Sequence, residues 1–76
     1  MVISITAANL NVLNAINPPQ SVVYTKDATP NVTKVCAWWR DFGPIVFDFG
    51  TGTKPSEAAF LAASPGAIAV EAILTP

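Results

Sequence analysis

The sequence predicts a mainly β fold with a short helix: a small β-sandwich or barrel-like sheet, or an α+β fold if positions 7–16 and 56–63 are both helical. Three observations lead there. Runs rich in β-branched and aromatic residues recur at short intervals, at 2–6, 21–26, 32–42 and 45–49. Clusters of Pro, Gly, Asn and Asp separate them, as turn chemistry requires. The chain has 76 residues, enough for one domain over 1–76 with one modest core, because a domain this small buries only about 60% of the surface its unfolded chain exposes.

Positions 2–6 read as a strand with Ile3 and Ile5 on one face. Thr6 stands where a helix over 7–16 takes its cap, with Leu10, Leu13 and Ile16 at helical spacing. Asparagines at 9, 11 and 14 compete for the backbone there, so an asparagine-bonded loop remains the other reading. Pro18 and Pro19 end either one. Ser21–Lys26 has strand composition, and 27–31 supplies turn residues. A longer strand over 32–42 meets Gly43 and Pro44, after which 45–49 alternates, with Ile45, Phe47 and Phe49 on one face and Val46 and Asp48 on the other.

Glycine at the first central position suits a type II′ hairpin, so a two-residue loop sets Phe42 opposite Ile45, Arg40 opposite Phe47 and Trp38 opposite Phe49. One face then gathers Trp38, Arg40, Phe42, Ile45, Phe47 and Phe49, and the other Ala37, Trp39, Asp41, Val46 and Asp48. Adjacent tryptophans on a strand point to opposite faces, so Trp38 or Trp39 looks outward unless both faces are covered. Farther on, Lys54, Pro55, Ser56 and Glu57 read as a helix start, with 58–63 following. The same stretch also reads as a strand over 59–63 that turns at Ser64, Pro65 and Gly66. The stretch 67–74 reads as a strand whose Ile68, Val70, Ala72 and Leu74 alternate inward.

The residue inventory excludes much chemistry. Histidine is absent, so Ser-His-Asp, Cys-His and H-E-x-x-H sites are impossible, and no metal or cofactor site is expected. Four Lys plus Arg, scattered singly, against five Asp plus Glu do not make the cationic patch that nucleic acid requires. One cysteine allows no internal disulfide, and Cys36, in an apolar run, reads as a small core hydrophobe. No stretch supplies the ~20 apolar residues of a membrane span, and the uncharged first 25 positions are too broken by asparagine and proline to read as a signal peptide.

Three candidate motifs are weak. Gly50, Thr51, Gly52, Thr53 and Lys54 lack the spacing of a phosphate loop, and Pro55 stands where its hydroxyl belongs. Asp-Phe-Gly at 41–43 and 48–50 marks two strand ends. In the hairpin register above, Asp41 and Asp48 lie diagonally about 7–8 Å apart beside Trp39, a spacing two glycosidase carboxylates could use, with nothing to raise either pKa. No catalytic residue is assigned.

What remains is a non-enzymatic structural or assembly protein that packs against other chains, as a homo-oligomer or on capsid or tail subunits. Charged residues make up 12% of the chain, too few for an independent surface that ordinarily carries about 25–35%. The candidate interface residues are Trp38, Trp39, Phe47, Phe49, Ile68, Val70 and Ile73, since paired tryptophans and an unpaired strand edge are natural docking elements. The run Phe60, Leu61, Ala62, Ala63, Ser64, Pro65, Gly66, Ala67, Ile68 resembles the strand, Pro-Gly turn, strand segments of tailed-phage virion proteins. The opening Ile3, Ser4, Ile5, Thr6, Ala7, Ala8, Asn9 resembles the start of small capsid-decoration proteins. The chain lacks the glycine-rich middle of those proteins. The resemblance implies a β-rich virion component and a virion location, with a cytoplasmic protein as the other possibility, and it designates no binding residue. The alternative function is a small monomeric protein- or carbohydrate-binding module with Trp39 as its exposed anchor.

Overall fold

The structure is a computed structural model that describes residues 19–41, 43–50 and 52–73, and the backbone of 2–4. The described residues are mainly β with one short helix. Strands β1 (Val2–Ser4), β2 (Ser21–Lys26), β3 (Val32–Trp39), β4 (Gly43–Asp48) and β5 (Ile68–Ala69) form one mixed sheet of order β1-β4-β3-β2-β5, and helix α1 (Glu57–Ala63) comes between β4 and β5 in the chain. The three central strands are antiparallel, whereas β1 and β5 run parallel to β4 and β2. The expectations for 5–16, including the helix-or-loop alternative, lie outside the described residues.

The central hairpin forms, in a different register. Trp39 pairs with Gly43, Ala37 with Ile45 and Val35 with Phe47, so Gly43 and Pro44 belong to β4 and the two-residue turn there does not occur; Phe42 lies outside the described residues. Sterics and solvation favour this pairing. The expected register placed Arg40 across from Phe47 on the core face, where an unpaired guanidinium is costly. The observed one leaves Arg40 and Asp41 exposed in the turn and brings Gly43 to φ +76°, a conformation that glycine adopts freely. Proline is tolerated at position 44 because alternation turns its nitrogen away from β3. The Phe49 amide, on the opposite parity, donates to the Thr33 carbonyl of β3.

A bulge adjusts the faces of β3. Lys34 pairs with Thr25 and Val32 with Lys26, so Thr33 is the extra residue. Without it, strict alternation would send Val32 and Val35 to opposite faces; with it, both are fully buried in one core. That core contains Tyr24, Val32, Val35, Ala37, Trp39, Phe47, Phe49 and Phe60. The Thr25 and Thr33 hydroxyls bond each other at 2.7 Å, which satisfies both beside the bulge.

Helix α1 forms over Glu57–Ala63, as the helical reading of the tail expects. The Ser56 hydroxyl caps it by accepting from the Ala59 amide at 3.2 Å, and Glu57 lies in the first turn near the positive end of the dipole. Phe60 is its one buried residue, with its ring 5.1 Å from that of Tyr24. Seven residues cannot sustain a helix in water, so this contact and the cap hold it. Ser64 ends the helix, and a turn with the Ala67 amide on the Ser64 carbonyl at 3.1 Å reverses the chain at Pro65 and Gly66.

Within the described residues the expected strand over 67–74 shrinks to Ile68–Ala69, and its inward alternation is corrected: Ile68 is 65% exposed and Ala72 is exposed, while Leu74 lies outside the described residues. The cause is topological. Because 59–63 is helix, β5 has no hairpin partner there and adds in parallel to the outer edge of β2, where one face meets solvent.

Candidate interaction face

The pairings divide the sheet into two faces. Helix α1 packs on one of them, above Tyr24. On the other, the register aligns Ile68, Val23, Cys36 and Val46 in one row across β5, β2, β3 and β4, with Val2 at the next register position on β1. A second row holds Ser21, Trp38 and Pro44, and a third holds Thr25, Lys34 and Asp48. An apolar band therefore crosses the sheet between the row that carries Trp38 and the row that carries Lys34 and Asp48. Val46 is buried, Val23 and Cys36 are half-buried, and Ser21 and Pro44 are exposed beside Trp38.

The seven sequence-predicted residues part company here. Trp38 is 49% exposed and Ile68 lies on the same face, so two of them share a surface. Val70 and Ile73 are half-buried beyond β5. Trp39 is corrected from an exposed anchor to a core residue: it is 8% exposed, and its ring meets Phe47 edge-on at 6.0 Å. Phe47 and Phe49 are likewise buried. Alternation along β3 with Trp39 opposite Gly43 dictates this choice between the tryptophans. Sequence reasoning missed Val23, Cys36, Val46 and Lys34 as members of the face. The signal for them was the pairing register, since Val23 and Val46 are unremarkable until aligned with Cys36.

The carboxylate pair dissolves for the same reason. Asp41 sits in the β3–β4 turn, while Asp48 pairs with Lys34 at the other end of β4, on the order of 15 Å away along the strand. Asp48 instead accepts from the Gly50 amide at 2.7 Å and shapes the exit from β4.

The ionic interactions of the described residues lie at the helix start. Glu57 Oε2 accepts from the Tyr24 hydroxyl at 2.6 Å and the Lys26 ammonium at 2.9 Å. The Tyr24 bond, then Lys26, hold the Glu57 carboxyl below its usual range, and the same bond raises the Tyr24 phenol. In the β2–β3 turn, Asp27 Oδ1 accepts from the Thr29 hydroxyl and from the amides of Asn31 and Thr29, which lower its pKa. This turn then docks on the helix start, with the Val32 amide on the Pro55 carbonyl at 2.9 Å and the Glu57 amide on the Pro30 carbonyl at 3.2 Å. These carboxylates organise structure: each is engaged by donors of the fold, and lowered values are the reverse of what a general acid needs.

Among the described residues no group of three or more Cys, Asp or Glu side chains is placed to hold a metal ion, and no helix is long and apolar enough to cross a membrane. The described residues define a small mixed-sheet domain with a half-exposed tryptophan, Trp38, and an exposed isoleucine, Ile68, on the sheet face opposite α1. Comparison with protein-family models, with curated proteins and with solved structures returns no match.

Proposed function

We propose that this chain is a non-enzymatic structural protein that packs against other protein chains through the sheet face opposite α1. The observation that carries the reading is the half-exposed Trp38, standing beside an apolar row that runs to the exposed Ile68. Large apolar side chains exposed together on one face mark contact surfaces, and tryptophan is enriched among residues that dominate binding energy. The finer form of the proposal is a small virion component, a capsid-decoration or minor structural subunit, and it rests on the sequence resemblance alone. A monomeric binding module with Trp38 as its platform is the second reading, favoured by the exposed Ser21 and Pro44 flanking the ring.

The test is the composition of the assembly with which the native protein purifies, paired with Trp38→Ala. A structural subunit co-purifies in fixed stoichiometry with other chains, and Trp38→Ala lowers its incorporation while leaving the circular dichroism spectrum unchanged. Unchanged incorporation of a folded Trp38→Ala protein would overturn the reading.

A further inference from the structure

We infer that the segment between β1 and β2 crosses the sheet on the side of α1 and covers the part of the core that α1 does not reach, with Leu10, Leu13 and Ile16 as its apolar contacts on Ala37, Trp39, Ile45 and Phe47. The occupant of that sheet surface is thus a stretch of the same chain, positions 5–18, and not a partner. The inference goes beyond the proposed function, which concerns the opposite face.

Topology supplies the first argument. β1 runs parallel to β4, and β4 and β2 are both antiparallel to β3, so β1 and β2 point the same way. A chain that leaves the end of one and enters the start of the other has to return across a face of the sheet, and positions 5–20 exceed the dozen or so residues that such a crossover takes. β4 and β5 also point the same way, and the crossover that joins them contains α1. In the order β1-β4-β3-β2-β5, the passages from β1 to β2 and from β4 to β5 are both steps of three places in the same direction. Crossovers of this kind are right-handed in about 98% of cases, and two of one hand stepping in one direction lie on the same face. The segment therefore passes on the α1 side.

Burial supplies the second. Phe60 rests on Tyr24, and the Glu57 amide bonds the Pro30 carbonyl, so α1 starts at the β2–β3 turn. Its seven residues extend about 10 Å. Tyr24 pairs with Val35, and Trp39 lies four residues farther along β3, about 13 Å from that row and at the end away from the turn. Yet Trp39 is buried, as are Ala37 and Phe47 on the same side, and Ile45 is half-buried. A second layer has to stand over β3 and β4 there. The crossover leads from Ser4, opposite Asp48, to Ser21, opposite Trp38, a path that passes over β4 and β3. Trp38 and Ile68, on the other face, stay exposed.

The test is a synthetic chain that carries the diazirine analogue of leucine at position 13, close enough to leucine in shape to keep the fold. It is photolysed at micromolar concentration, and the crosslinked residues are identified by mass spectrometry. The expected crosslinks are intramolecular and fall on Ala37, Trp39, Ile45 or Phe47. Crosslinks to Val23, Cys36 or Val46 on the other face overturn the inference, as does the lack of any intramolecular crosslink. Leu13→Ala is made in a chain whose Trp38→Phe change leaves Trp39 as the sole tryptophan. It lowers the folding equilibrium constant about thirty-fold or more, as the truncation of a buried leucine does. In the molecules that fold, the Trp39 emission shifts to the red and the alkylation rate of Cys36 is unchanged; a steady Trp39 emission with faster alkylation of Cys36 overturns the inference. The diazirine chain decides the matter even where Leu13→Ala does not fold. Normal incorporation of Trp38→Ala into the native assembly would sink the proposed function and leave this inference standing, so the two fail separately.

Discussion

Trp39→Ala and Trp38→Ala, adjacent changes of identical chemistry, have opposite expected consequences. Trp39 is nearly fully buried and packs edge-to-face on Phe47, so its truncation costs about 3–5 kcal/mol, of which the ring pair contributes roughly 0.5–1.5. A chain of 76 residues has a total stability of about 4–11 kcal/mol. Trp39→Ala therefore removes from about a third to all of it, whereas Trp38→Ala, on a half-exposed ring, stays within about 1 kcal/mol. Urea unfolding followed by far-ultraviolet circular dichroism, at micromolar concentration so that association does not contribute, measures both. Fluorescence supplies an independent readout: Trp38→Phe leaves a blue-shifted emitter that resists acrylamide, and Trp39→Phe leaves a red-shifted one that acrylamide quenches. If Trp38→Ala proves the costlier change, the register with Trp39 opposite Gly43 is wrong, and with it the assignment of faces.

Three further outcomes are expected. Phe60→Ala, which empties the one buried position of α1, costs about 3–5 kcal/mol and loses the helical dichroism; fast exchange of the Ser64 amide, which donates to the Phe60 carbonyl, checks this, and retained protection counts against it. Gly43→Ala meets no atom within 4 Å of its added Cβ, so its cost is backbone strain alone, about 1–2 kcal/mol at φ +76°. D-alanine at position 43 in a synthetic chain restores the melting temperature if that cause is right. The pH profile of stability has two limbs. Asp27 and Glu57 are lowered from 3.8 and 4.5, so their contribution is full above those values and is lost as pH falls through the lower folded ones. Tyr24 is raised from 10.0, so its contribution is full below 10.0 and is lost as pH rises through the higher folded value. Glu57→Gln shrinks both limbs together, because one carboxylate serves both; a profile that keeps either limb intact in this variant argues against the shared bond.

Much of the strand content was legible because it is a local property. Ser21–Lys26 is a strand where β-branched residues and Tyr24 cluster, and Asp27 to Asn31 turn where the Asp27 side chain substitutes for backbone partners. The cap at Ser56 and the acidic first turn were readable for α1 for the same reason. The interface candidates were legible only as a mixture: Trp38 and Ile68 reach the exposed face, while Trp39, Phe47 and Phe49 make the core. Hydrophobicity identifies residues that leave water without saying whether they do so inside the chain or against another.

The residue content by itself determined that this protein is mainly β, that it lacks histidine chemistry and clustered cations along the sequence, and that two adjacent tryptophans on one strand take opposite faces. The tertiary structure alone decided that Trp39 is buried and Trp38 half-exposed. The faces rest on whether Gly43 and Pro44 make the turn or open β4, on the bulge at Thr33, and on the parallel addition of β5 to β2. These are alternatives between pairings of similar local preference; Phe47 moves from Arg40 to Val35, and because side chains alternate along a strand, a shift by an odd number of residues exchanges the core with the surface. The energy that separates such alternatives, here the exposure of Arg40 against its burial beside Phe47, exists only once distant strands are brought together.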